Sequence, residues 1–330
     1  MVRLAAWVAT VVAVAVVAVM VLSLTTIGDT LRAALGGNRA TGQVAAPSPT
    51  PLPSPSPSPT PLPSPSPTPP PPPRSFTALS ADVTKIASAA GAHVSVSLIE
   101  LGGNQPSAWS LKGDLRWTAA STYKLPLLMA EAQGIATGRL HTYDKLCYRS
   151  SDFEPGHFGD YEPGECFRRD VLAQRVGHWS DNTAAHILVR YLGGGSALNA
   201  YARSMGAKES QFYYPNTTTS SDLARLWASE ARGAAGGRAA QSWLYPLLTK
   251  TAFEAGIPAG TPSAPVVHKI GDLGKNLHDA ALVVNGRRGP YVLVICSDGL
   301  GVSAGWSLLA RIAKRVWQYE SARSAIVSSP

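Results

Sequence analysis

An α+β domain built on one antiparallel sheet is what the sequence predicts, and three observations carry that reading. Apolar and polar residues alternate at "HVSVSLIEL" (93–101), near the start of the globular stretch. Three further strand-like runs, joined by turns, lie after residue 264. Between these two groups, from about 121 to 250, the pattern is helical. Strands at both ends with helices between imply a five-stranded sheet completed by both termini, flanked by helices and carrying an inserted all-helical subdomain.

Each element follows in order. Residues 80–90 read as a short amphipathic helix. In 93–101, Val94, Val96 and Leu98 alternate with Ser95 and Ser97, which is strand patterning. Gly102-Gly103-Asn104 supplies a turn into a second short strand near 108–111, completing a hairpin. The helical middle is interrupted by loops at 149–166 and 211–220. "PVVHKIG" (265–271), "DAALVVNG" (279–286) and "PYVLVICSDG" (290–299) supply the last three strands. Leu308, Leu309, Ile312, Val316 and Trp317 then share one face of a closing helix.

Composition divides the chain into an anchor at 1–27, a spacer at 28–75 and the domain at 76–326. Leu4 to Leu24 is an uncharged apolar run broken only by Thr10 and Ser23. About 20 helical residues cross a hydrocarbon core, so the run is long enough to span. Arg3 before it favours an N-terminus on the inner side. The rival reading is a cleaved signal peptide, but the nearest small-residue site, Val44-Ala45-Ala46, lies far downstream. Pro47 to Pro73 is almost wholly Pro, Ser and Thr. At about 3.1 Å per residue it reaches roughly 80 Å, a stalk that would stand the domain off a membrane. The expected location is therefore a single-pass attachment with the domain outside the cytoplasm.

The net charge of +8 is spread out, with no basic stripe interleaved with aromatics, so nucleic-acid binding is set aside. Of the three cysteines, Cys147 and Cys166 bracket a polar loop. Outside the cell a disulfide is expected there, the alternative being two unpaired thiols. Cys296 lies in an apolar run and reads as core. No zinc-type Cys spacing and no H-E-x-x-H is present, so neither metal nor other cofactor is expected. "GDLGKN" (271–276) lacks the spacing of a phosphate loop and is discarded. Oligomeric state is not legible.

The chemistry concentrates in three stretches. "TAASTYKLPLLMAEA" (118–132) places Ser121 three residues before Lys124 at the opening of an apolar helix. Residues so spaced on a helix are neighbours. A buried lysine loses its proton more readily and can then take one from the serine hydroxyl. The bland alternative is that Ser121 caps a helix and Lys124 snorkels to solvent. The second stretch is Ser180-Asp181-Asn182, and the third is Lys269-Ile270-Gly271 on a predicted strand.

S-x-x-K, S-D-N and K-x-G in that order resemble the class A β-lactamase and penicillin-binding protein superfamily, over about residues 78–325. The resemblance implies a β-lactamase/transpeptidase-like fold and a set of roles. Ser121 would be the acylated nucleophile and Lys124 its general base. Ser180 would relay a proton to the leaving nitrogen, and Asn182 would bind the acyl-amide side chain. Lys269 would supply positive potential on the strand that also carries Gly271. The backbone N–H groups of Ser121 and Asp272 would form the oxyanion hole. Asp181 reads as structural, His178 and His186 as packing residues, and Asp279 as paired with a nearby base.

Two departures stand out. Ile270 occupies the place of a Thr or Ser that meets the substrate carboxylate. The E-x-x-L-N loop that activates water in class A β-lactamases is absent: "GAKESQFYYPNTTT" (206–219) is too short, and Glu209 is its only glutamate. The resulting expectation is a serine hydrolase or acyltransferase acting on β-lactams or D-Ala-D-Ala-like peptidoglycan peptides, with slow release of the acyl group. The alternative is a weak or inactive relative that binds cell-wall peptide.

Overall fold

Strand β1 (His93–Glu100) shows how the sheet is assembled. Its apolar set, Val94, Val96 and Leu98, packs under helices on one face. Its serines are buried too: Ser95 Oγ accepts from Trp117 Nε1 at 2.8 Å, and Ser97 Oγ lies 2.9 Å from Ser220 Oγ. The alternation therefore separates two covered faces rather than core from solvent. The structure, a computed structural model, describes residues 75–102 and 106–322. The expected anchor at 4–24 and most of the spacer lie outside the described residues. Among the described residues, no helix is long and apolar enough to cross a membrane.

The sheet has five antiparallel strands in the order β2-β1-β9-β8-β7, with β2 at Ala108–Leu111, β7 at Val266–Leu273, β8 at Asn276–Val283 and β9 at Tyr291–Asp298. The α+β class and the closing of one sheet by both ends of the domain match the sequence reading. Strand β8 begins three residues earlier than expected. Leu273 pairs with Asn276 across a two-residue turn in which Gly274 takes φ +64°. That tight turn leaves no room for the longer loop.

One face is covered by α1 (Thr77–Ala90) and the long C-terminal helix (Val302–Ser321). Tyr291, Leu293 and Ile295 of β9 point to it, with Leu79, Val83, Leu308, Leu309 and Ile312. Val292, Val294 and Cys296 point the other way, into the helical layer with Leu125, Leu128 and Trp227. Fully burying each such Leu, Ile or Val is worth about 1.5–3 kcal/mol over leaving it exposed.

The inserted part is not purely helical. Two short ribbons pair β3 (Trp117–Thr118) with β6 (Thr217–Thr218), and β4 (Lys145–Cys147) with β5 (Cys166–Arg168). In the second ribbon Cys147 and Cys166 stand opposite each other and are disulfide-bonded. Closing a loop of this length stabilises the folded state by roughly 3 kcal/mol in the chain-entropy account. The charge within the apolar run at 125–132 is also explained. Glu131 is fully buried and accepts from Arg169 Nη1 at 2.6 Å.

Candidate active site

Ser121 does not lie on an α-helix. It is the second residue of a 3₁₀ turn, Ala120–Tyr123, that runs directly into α2 (Lys124–Ala136). In a 3₁₀ turn residues i and i+3 eclipse, so Lys124 stands over Ser121. Ala120, just before the serine, takes φ +47°. Such a conformation costs a non-glycine residue of order 1–3 kcal/mol and is found where structure serves a site. No side chain caps the turn, and Lys124 is 0% exposed, so both halves of the bland reading fail.

Lys124 Nζ donates to Ser121 Oγ at 2.9 Å, to Ser180 O at 2.6 Å and to Asn182 Oδ1 at 2.6 Å. Burial lowers its pKa to about 7, against the opposing pull of Asp181 and Glu154. A substantial free-amine fraction near neutral pH is what a general base requires.

Ser180 also takes a left-handed backbone, φ +57°. Its Oγ accepts from Lys269 Nζ at 2.9 Å and lies 3.4 Å from Lys124 Nζ. Lys269, on β7, is itself buried. Burial, reinforced by repulsion from Lys124, pushes its pKa well below the ordinary lysine value. Ser180 is thus flanked by two proton carriers.

Asp181 is structural. Its carboxylate caps α4 (Asn182–Leu192) through Ala184 N at 2.9 Å, and it accepts from Tyr161 Oη at 2.7 Å and His157 N at 3.0 Å. Asn182 Nδ2 donates to Pro155 O at 2.8 Å. The Cys-bracketed loop is therefore docked on the S-D-N segment.

Strand β7 passes close under Ser121. A Cβ at Gly271 would meet Ala119 O at 2.9 Å, so only glycine allows this approach. It brings Ile270 and Asp272 to the site. Two cavities open on either side of Ser121, and Asn182 and Asp272 border both. One, of about 420 Å³, is lined by Ser180, Ile270 and Phe253; the other, of about 220 Å³, by Glu154, His186, Tyr213 and Tyr214.

Asp279 pairs with a base, as expected. Its Oδ1 lies 2.9 Å from His268 Nδ1, both side chains fully buried, and Glu254 Oε1 stands 3.1 Å from His268 Nε2. These carboxylates overcome burial and raise His268 to about 9, a charged buttress beside Lys269. His178 packs against Trp179.

His186 is more than packing. It borders the smaller cavity, with Nε2 2.9 Å from Glu154 Oε2. Sequence reading missed Glu154 entirely. One signal was available for His186: it lies four residues after Asn182, hence on the same helix face. Glu209 is exposed, 3.8 Å from Arg116, and borders neither cavity.

A family model described as "Beta-lactamase enzyme family" matches residues 78–320. The chain belongs to this family. Among curated relatives it is 35% identical to a β-lactamase of Rhodobacter capsulatus over 130 residues, 39% of this chain and 44% of that protein. It is 29% identical to β-lactamase AER-1 of Aeromonas hydrophila over 132 residues, 36% of this chain and 40% of that one. The matches thus span less than half of these relatives. Among solved structures, PBP-A gives a TM-score of 0.69 at 25% identity, covering 76% of this chain and 98% of that one. A PBP-A mutant in an acyl-enzyme complex with penicillin G gives 0.70 at 25%, with the same coverage. A β-lactamase from Sphaerobacter thermophilus DSM 20745, at 22% identity and a TM-score of 0.67, covering 76% of this chain and 100% of that one, shares the fold.

Proposed function

We propose that this member of the β-lactamase enzyme family is a serine acyl-transfer enzyme acting outside the cytoplasm, acylated at Ser121 by β-lactams or by D-Ala-D-Ala-like peptidoglycan peptides. The observation that carries the reading is the 2.9 Å contact between Ser121 Oγ and a fully buried Lys124 whose pKa falls to about 7. The penicillin acyl-enzyme of a similarly folded PBP-A mutant supports a β-lactam as one substrate.

The steps balance as follows. Lys124, as the free amine, takes the Ser121 Oγ proton while Oγ bonds to the acyl carbon. The resulting oxyanion is held by the backbone N–H groups of Ser121 and Asp272. The carbon–nitrogen bond then breaks, and the leaving nitrogen takes a proton from Ser180 Oγ. Ser180 is reprotonated through Lys124, with Lys269 holding the hydroxyl in place. Asn182 orients the acyl-amide.

Release of the acyl group is slow in this proposal. Glu209 stands away from the site, and none of the hydrogen bonds of Lys124 goes to a carboxylate. A chain that binds cell-wall peptide without useful turnover is the second reading, and the apolar Ile270 beside Ser180 favours it.

The test is intact-mass spectrometry of the full chain with benzylpenicillin. The wild type should gain one covalent adduct that persists through a time course, and Ser121→Ala should gain none. Equal mass gain in both, or none in either at high reagent, contradicts the assignment. For location, the disulfide between Cys147 and Cys166 favours an oxidising compartment. N-terminal sequencing of the mature protein should retain residues 4–24, and a start near Pro47 would remove the anchor from the account.

A further inference from the structure

The smaller cavity beside Ser121 is not lined by Ser180, the proposed proton donor to the leaving nitrogen, which sets it apart from the leaving-group side of the scissile bond. Its lining is unusual for a protein of net charge +8. Two carboxylates, Glu154 and Asp272, border it, and no lysine or arginine does. Tyr123, Tyr213, Tyr214 and His186 make an aromatic wall, with Tyr213 set edge-on to the other three at 6.0, 4.7 and 5.2 Å.

Glu154 is held in place. Its backbone N donates to Thr183 Oγ1 at 3.1 Å, and Thr183 Oγ1 donates back to Glu154 O at 2.8 Å. His186 Nε2 stands 2.9 Å from Glu154 Oε2. Burial lowers the His186 pKa, so the ring cancels less of the carboxylate's charge than an imidazolium would. The Glu154 side chain is 45% exposed, so its carboxylate is open to solvent and to a ligand entering the cavity. On the same wall Asn216 Nδ2 donates to Ala120 O at 2.9 Å, and its amide oxygen lacks a partner among the described residues. The charged side chains lining the cavity are thus carboxylates, and its neutral donors include the serine and tyrosine hydroxyls.

We infer that this cavity selects acyl donors whose acyl side chain carries a primary ammonium group, with Glu154 as its ion-pair partner and the tyrosine rings as its walls. The inference rests on acylation at Ser121 and adds the substrate class. An ammonium pairs with the open carboxylate by a charge-assisted hydrogen bond and gains from ring faces within about 6 Å. The amine-bearing side arm of a cell-wall peptide has this chemistry. Glu154 is assigned recognition rather than water activation because Lys124 spends its hydrogen bonds on Ser121, Ser180 and Asn182, not on Glu154.

The experiment compares ampicillin with benzylpenicillin, which differ by one primary amine on the acyl side chain. Acylation rate constants of the full chain are measured by intact mass at one pH, for wild type and Glu154→Gln. The wild type should favour the amine-bearing penicillin, and Glu154→Gln should lower that preference by roughly 5- to 20-fold, between the value of an exposed ion pair and that of a desolvated charged hydrogen bond. An unchanged preference overturns the inference. So does a Glu154→Gln chain that keeps the preference but releases both acyl groups more slowly, since the carboxylate would then activate water. If neither penicillin acylates the wild type, the serine assignment fails on its own. Calorimetric affinities of the two penicillins for Ser121→Ala and for Ser121→Ala with Glu154→Gln then decide the cavity's preference by the same ratio.

Discussion

The two sides of Ser121 are built by different means. On the Ser180 side, both lysines that reach the Ser180 hydroxyl come from short motifs. Lys124 follows Ser121 by three residues, and Lys269 reaches Ser180 at 2.9 Å from one strand. On the Glu154 side, the wall is made by loops around 154 and 213 that share no motif and are brought together by tertiary bonds. Glu154 itself is docked on the helix after S-D-N, its backbone N donating to Thr183 Oγ1 at 3.1 Å. The comparison separates two kinds of specification. In the proposed mechanism, local spacing sets the proton-transfer groups, while long-range docking of loops sets which acyl groups suit the site.

The comparison can be broken most forcefully on the first side. Lys124→Ala should slow acylation of Ser121 by roughly 10²–10⁴-fold, the usual value of a positioned general base. A stopped-flow trace with a chromogenic cephalosporin reads it, and a loss under about threefold would assign the proton to another group. A smaller effect is expected where the motif departs from its family. Ile270 is 3% exposed and borders the leaving-group cavity with Ser180. Ile270→Thr should restore a hydrogen bond to a substrate carboxylate and speed acylation by roughly 10-fold, the low end for a bond to a charged group. The gain should fall on acylation rather than release; an effect confined to release would move Ile270 to the other side of the comparison. The smallest effect should come from outside both sides. Glu209→Gln should shift the activation barrier by less than about 0.5 kcal/mol, as surface substitutions do to stability. A collapse of steady-state hydrolysis in that variant would return Glu209 to the site.

Much of the fold was legible because its signals are local. Alternation placed β1, a turn-bounded apolar run placed β9, and the spacing of Leu308, Leu309, Ile312 and Val316 placed the closing helix. What escaped was set at longer range. Alternation alone does not say that Ser95 and Ser97 are buried, but the sheet is covered on both faces and they lie under Trp117 and Ser220. The 3₁₀ turn at Ser121 depends on packing against β7, which only the absence of a side chain at Gly271 permits. Ser121, Lys124, Ser180, Asn182 and Lys269 were legible as a set and converge in space. Glu154 was not, because its contacts with Thr183 and His186 span about thirty residues and leave no periodic trace.

The central claim is that Lys124, with its pKa lowered to about 7, takes the proton from Ser121. Below that value the lysine is an ammonium and cannot accept; above it the free amine dominates. The direct measurement is the second-order rate of Ser121 acylation by benzylpenicillin from pH 5 to pH 8.5. The account predicts a rate that climbs about tenfold per pH unit in the acid range and levels off above about 7. A rate that is flat across this range, or that falls as pH rises through 7, contradicts it.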